Sequence, residues 1–333
     1  MSAIGVFALV VAAACDSNST PQPLFGPSGL SRNGTISGTV VRYGDQTPIA
    51  GVALLLAGVS ATTDAQGRFT MTGVPDSGSG AITAQPAGYI FRASPFALST
   101  LRSGVVLDLV QDAAPFSLPF YRALVRNGYE SAQLQPTKPW TVAPSFYVKT
   151  TVEGSTDIVS DEIVDRLRTL FANSIPELTG GRLQLGAFES GTTPRGAEAG
   201  WVNITFYSQL DVFGRSTVGG NTGNMLLRYF LSSNATTNPN NCYSPEIYIA
   251  DHEITHVMGY WHTPDVLVET FSGTGCPGSG RPAHTRYHAA LMYSRPAGNT
   301  DPDVDPPTAI HGQAPAGFTG RPPEVSCRFL SGG

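Results

Sequence analysis

Residues 252 to 262 read HEITHVMGYWH and contain the groups best suited to chemistry in this chain. On an α-helix, positions four apart share a face, so His252 and His256 can offer imidazole nitrogens to one ion. Glu253 adjoins the first ligand but is rotated away from it. Its carboxylate is therefore free to accept a proton from water at the ion rather than to bind the ion itself. Gly259 can take the left-handed conformation that ends a helix, and the turn brings His262 back to the same point. Three neutral imidazoles with one open position form the donor set of a catalytic zinc site, whereas structural zinc sites close all four positions.

The ligands require a helix, and the sequence marks one. Ser244 is a candidate cap, Pro245 suits the first helical position, and Glu246 suits the positive end of the helix dipole. Ile247, Ala250, Ile254, Val257 and Met258 fall on or beside one face, which would bury that side and leave the histidines facing a cleft. Chance is a poor explanation of the spacing. A bare H-E-x-x-H arises in roughly one chain in a hundred of this length, and requiring the Gly and third His lowers that about a thousandfold.

HEITHVMGYWH resembles the long zinc signature H-E-x-x-H-x-x-G-x-x-H of the metzincin clan of metallopeptidases, and ALMYS at 290 to 294 resembles its Met-turn, with Leu-Met-Tyr closest to the matrixin branch. The resemblance implies His252, His256 and His262 as zinc ligands, Glu253 as general base and Met292 as the residue beneath the site. In such families an edge strand beside the cleft pairs with extended substrate. That places a substrate rim around 215 to 228, including Gly219 and Gly220, with Tyr293 as a further candidate.

The N-terminal run MSAIGVFALVVAAAC is apolar and ends in small residues before Cys15. It resembles a bacterial lipoprotein signal peptide over 1–15, with Cys15 as the lipidated residue. The expected location is extracytoplasmic, either lipid-anchored to a bacterial membrane or secreted. Residues 16–34 are rich in Ser, Pro, Gly and Asn and read as a flexible tether. With Cys15 consumed, Cys242, Cys276 and Cys327 permit one disulfide and one free thiol, in a pairing the sequence leaves open.

From 35 to 112, short apolar runs alternate with Gly, Pro and Asp turn signals, the pattern of an antiparallel sandwich. Phe69 and Met71 alternate with Arg68 and Thr70, and Asp64-Ala65-Gln66-Gly67 supplies a turn. The phrases TPIAGVALLL and TTDAQGRFTMTGVP resemble the carboxypeptidase regulatory-like or Cna-B-like family, which implies a spacer, positioning or binding module and not carboxypeptidase activity. Residues 113–333 would form the catalytic domain. Its first part, to 140, reads as a proline-rich connection. After it, PSFYVKTTV forms a strand, a helix capped by Ser160 buries Ile163, Leu167, Leu170 and Phe171, Gly180-Gly181 stops that helix, and RLQLGAFE and WVNITFYS form strands. The expected fold class is multidomain: an all-β sandwich followed by an α+β metzincin-like zinc peptidase domain with a twisted mixed sheet, an active-site helix and a Met-turn.

A chain of 333 residues with 41% hydrophobic content can bury two cores. A net charge of -5 without a Lys/Arg cluster excludes an electrostatic footprint for nucleic acid. The expected partner is a protein or peptide substrate, membrane contact is by lipid anchor only, and the oligomeric state is left open. His284 and His288 share i, i+4 spacing but lack a companion acidic or Cys ligand, so they read as surface or loop residues. Calcium sites stay open because Asp, Asn and carbonyl oxygens are plentiful. Two other functions compete with an endopeptidase: an adhesion lipoprotein with a vestigial peptidase domain, and a zinc hydrolase of peptidoglycan amide bonds.

Overall fold

The structure is a computed structural model that describes residues 34–98, 102–230, 245–264, 281–302 and 304–306. Cys15, Ser244, Cys242, Cys276, Cys327 and nearly all of the tether lie outside those residues. The described chain is β-rich, with two sheets in its first part and a third sheet packed with helices in its second.

The first part stacks two sheets on one core. One sheet has β1 (Gly34–Arg42) between β4 (Arg68–Val74) and β7 (Val105–Leu109). The other runs β3 (Val59–Thr62), β2 (Ala53–Leu56), β5 (Ser79–Ala84), β6 (Arg92–Ala97). Alternation sets the inner faces: Phe69 and Met71 are buried while Arg68 and Thr70 are exposed, and Leu54, Leu56 and Ile82 meet them from the opposite sheet. The Asp64 carboxylate accepts from the amides of Gln66 and Arg68, forming the turn that its sequence predicts. The antiparallel expectation fails at one pair. β1 runs parallel to β7, with Gly38 opposite Val105 and Val40 opposite Leu107. The chain reaches β7 from the other sheet, so no hairpin fixes its direction. A side chain at Gly38 would run into the Val105 backbone, which explains the glycine.

The second part is built on a five-stranded sheet of order β11-β12-β10-β8-β9: β8 (Ser145–Glu153), β9 (Phe188–Gly191), β10 (Trp201–Tyr207), β11 (Gly214–Ser216) and β12 (Gly223–Arg228). Strand β11 alone runs antiparallel, on the edge. The parallel pair β8–β9 needs a crossover, supplied by α2 (Asp161–Leu178). The Ser160 hydroxyl caps α2 by accepting from the Ile163 amide, and Ile163, Leu167, Leu170 and Phe171 face the core. Gly180 and Gly181 end it with φ of 60° and 80°. RLQLGAFE is mostly not strand, because pairing with β8 begins only at Phe188.

The segment expected to be a plain connection contains α1 (Leu118–Arg126), capped by Ser117 and closed by Asn127 in the left-handed region. The prolines masked it, yet Pro119 sits in the first turn, where a missing amide hydrogen costs nothing. Two further helices, α3 (Pro245–Val257) and α4 (Ala283–Tyr293), carry the candidate site and pack into the same core. Among the described residues no helix is long and apolar enough to cross a membrane.

The two parts are joined by buried charge. Arg295, two residues past α4, meets Asp108 of β7 at 2.6 Å, and Arg92 of β6 meets Asp305 at 2.6 Å. Tyr43, at the end of β1, packs edge-on against Tyr287 of α4 at 5.4 Å. Burial alone would raise the Asp108 carboxyl, but Arg295 and Arg92 outweigh it and hold it below its ordinary value. Asp108→Ala should therefore lower unfolding stability by about 3 kcal/mol, because it takes the paired carboxylate from the buried Arg295. Denaturant titration checks this; a loss no larger than that of a surface ion pair would make the sandwich a mere spacer.

Candidate metal centre

His252 and His256 ride one turn apart on α3, with their Nε2 atoms 3.0 Å apart, and His262 Nε2 lies 3.3 Å from His252 Nε2. One ligand atom from each of the three lies within 4.8 Å of the others, and no other cluster of this kind occurs among the described residues. The return of His262 depends on Gly259, whose φ is 101° and whose N–H donates to the His256 carbonyl at 2.8 Å. A Cβ on Gly259 would sit 2.8 Å from the Lys138 carbonyl oxygen, so glycine is required there for space as well as for conformation.

The tautomers show that the triad fits a metal. His256 Nδ1 lies 2.8 Å from the Tyr260 carbonyl oxygen, which can only accept, so Nδ1 carries the hydrogen. His262 Nδ1 lies 2.6 Å from a Glu130 carboxylate oxygen and donates likewise. Burial lowers the pKa of His256 to about 4 and that of His252 to about 3. Nε2 lone pairs therefore converge on one point. His252 can donate at most one hydrogen into the cluster, whereas a divalent cation satisfies all three nitrogens at once. Three imidazole donors suit zinc.

Glu253 stays outside the nitrogen cluster. It is only 3% exposed, and the Ser216 hydroxyl donates to its Oε2 at 2.6 Å. Burial raises its pKa to about 7, against the opposing pull of Ser216 and His262. Both Ser216 and Gly214 belong to β11, and a Cβ at Gly214 would overlap Glu253 Oε1. The edge strand thus lies directly against the carboxylate. Gly214 was missed in the sequence because nothing local marks a glycine that makes room for a distant side chain.

The last carbonyls of α3 have no partners within the helix, and other segments supply them. Gly219 N–H donates to the His256 carbonyl at 3.0 Å, Trp140 Nε1 to that of Val257 at 2.6 Å, and Tyr293 hydroxyl to that of Met258 at 2.9 Å. These bonds bear on two expectations. Gly219 meets α3 through its backbone and Gly220 N–H is bonded to the Lys138 carbonyl at 3.1 Å, so Gly219 helps to cap α3 while both glycines stay partly exposed beside the site. Tyr293 is buried beneath the site and cannot line a rim. Met292 is fully buried, its Cε 3.3 Å from where a Cβ on Gly259 would stand.

Behind the site, Arg281 bonds Asp251 Oδ1 at 2.9 Å and Glu177 Oε2 at 3.1 Å, tying α3 to α2 immediately before His252. His284 is exposed, as expected, but His288 is fully buried. It accepts from the Ser117 amide at 2.9 Å and donates to the His284 carbonyl at 2.7 Å, while packing on Phe116 and Phe120. Both its nitrogens are used, so it is a core residue. Burial lowers its pKa to about 4.

No protein-family model matches the sequence, and no curated protein matches it. Matching solved structures include two mutants of the type II cohesin–X-dockerin complex from Acetivibrio cellulolyticus. The N-terminal interface mutant is 23% identical over 23% of this chain and 58% of that chain, with a TM-score of 0.20. The C-terminal interface mutant is 23% identical over 22% of this chain and 51% of that chain, with a TM-score of 0.18. The present chain thus spans little more than half of either, and likeness at that level carries nothing about its fold, partners or activity.

Proposed function

We propose that this chain is an exported zinc endopeptidase of metzincin type, His252, His256 and His262 holding the ion and Glu253 acting as general base. The observation that carries the reading is the convergence of the three Nε2 atoms, with His256 and His262 held in the tautomer that ligation requires. The order of strand, helix, strand and strand ahead of α3 supports it, as does the edge strand against Glu253. The lipid anchor at Cys15 belongs to the same proposal.

When bound, zinc supplies a Lewis acid that makes water acidic near neutral pH and polarises a carbonyl. The chain's own residues do the rest. Glu253, with a pKa near neutrality, takes the proton from the attacking water and delivers it to the leaving amine. Ser216 holds the carboxylate in one orientation during that transfer. The outer edge of β11 offers backbone groups to an extended peptide, which would lie beside Glu253.

Zinc quantification together with cleavage of a mixed peptide pool tests the reading. About one zinc per chain and cleavage abolished by a chelator, then restored by zinc, are expected. Zinc without cleavage would favour the adhesion reading, and cleavage indifferent to chelators would refute the metal mechanism.

A further inference from the structure

We propose that Glu130 is the positioning residue of the third metal ligand, its carboxylate tightening zinc binding by fixing the His262 ring. The inference rests on the zinc reading of the triad. His252 and His256 are set by a helix whose end is bonded to its surroundings. His262 follows the Gly259 turn on irregular backbone, and its side chain is 39% exposed. Something else must aim it.

Two contacts from α1 and the turn that follows it do so. Trp261 N–H donates to the Leu124 carbonyl of α1 at 2.7 Å, and His262 Nδ1 donates to Glu130 Oε1 at 2.6 Å. Glu130 itself is placed by the turn that leaves α1. Asn127 takes φ 58°, Gly128 N–H bonds the Arg122 carbonyl at 2.8 Å, and Ser131 N–H bonds the Asn127 carbonyl at 3.0 Å. Arg126 and Gln135 close the segment with reciprocal bonds of 2.8 and 2.9 Å. Helix α1 is in turn anchored by Arg122 and Arg126, each 2.6 Å from Asp301. The backbone that carries Glu130 is thus fixed, and its carboxylate reaches the ring from that point.

A carboxylate can only accept, so it forces the hydrogen onto Nδ1 and leaves the Nε2 lone pair for the ion, while its charge makes the ring a stronger donor. The same pair contributes little to folding, because both side chains are partly exposed. Those two consequences separate a positioning role from a structural one.

The test uses the full chain with Glu130→Ala and Glu130→Gln, reading the zinc dissociation constant by competition with a chromophoric chelator and the melting midpoint of the metal-free protein. Glu130→Ala should weaken zinc binding about 10- to 100-fold, with the metal-free midpoint unchanged. Glu130→Gln keeps an acceptor without the charge and should fall between it and the wild type. Wild-type zinc affinity in Glu130→Ala would overturn the inference alone. A fall in the metal-free midpoint that accounts for the weaker binding, without recovery in Glu130→Gln, would overturn it too by making the contact structural. A wild-type chain that binds no zinc would overturn both this inference and the peptidase reading.

Discussion

Glu253→Ala is expected to keep its zinc and to lose peptide cleavage by on the order of 10²–10⁴-fold in kcat/KM, the usual worth of a positioned proton acceptor. The three converging imidazole nitrogens lie outside this side chain, and the backbone bonds that end α3 do not involve it. The fold should survive as well. Burial disfavours the ionised carboxylate, so removing it withdraws a group that the folded state tolerates poorly. The void left lies beside Gly214 and Ser216 of an edge strand. A variant with normal zinc content and unchanged kcat/KM would take the proton-transfer role away from Glu253. A variant that loses its zinc would show that the carboxylate also holds the site together.

The parts of this molecule that were legible in the sequence are those in which a residue answers to its near neighbours. The i, i+4 histidines and the inward set of β4 follow from helix and strand periodicity, the Ser160 cap and the Asp64 turn from side chains that bond nearby amides, and each lies where that local rule puts it. What the sequence hid are partners brought together by the fold. Glu130 meets a histidine 132 positions away, and Arg281 meets Glu177 across 104. No periodicity joins such residues. Gly214, the glycine against Glu253, was hidden as well, because only the packing of β11 on α3 decides which glycine must leave room. The parallel β1–β7 pair was hidden for the related reason that strand direction depends on how the chain crosses between layers.

Arg281→Met should be among the most destabilising single changes in the second part, costing about 3–5 kcal/mol. The guanidinium is only 4% exposed and balances two acids that are almost as buried, Asp251 and Glu177. Glu177 also accepts from the Arg281 amide at 2.7 Å, and the Ser174 hydroxyl donates to Asp251 at 3.3 Å. Burial raises the Asp251 carboxyl even with Arg281 beside it, so without the cation the group must protonate or drag water in. Since Asp251 immediately precedes His252, the disturbance should reach the ligands, and zinc affinity should fall together with the denaturation midpoint. Arg168 provides the contrast: its pair with Asp165 is half-exposed or more on both sides, and Arg168→Met should cost no more than about 0.5 kcal/mol. Adding Asp251→Asn and Glu177→Gln to Arg281→Met removes the stranded charges while keeping their shapes, and should recover much of the lost stability. If the single variant unfolds at the same denaturant concentration as the wild type, the buried triad does not hold α3 against α2. The first ligand would then owe its position to apolar packing alone.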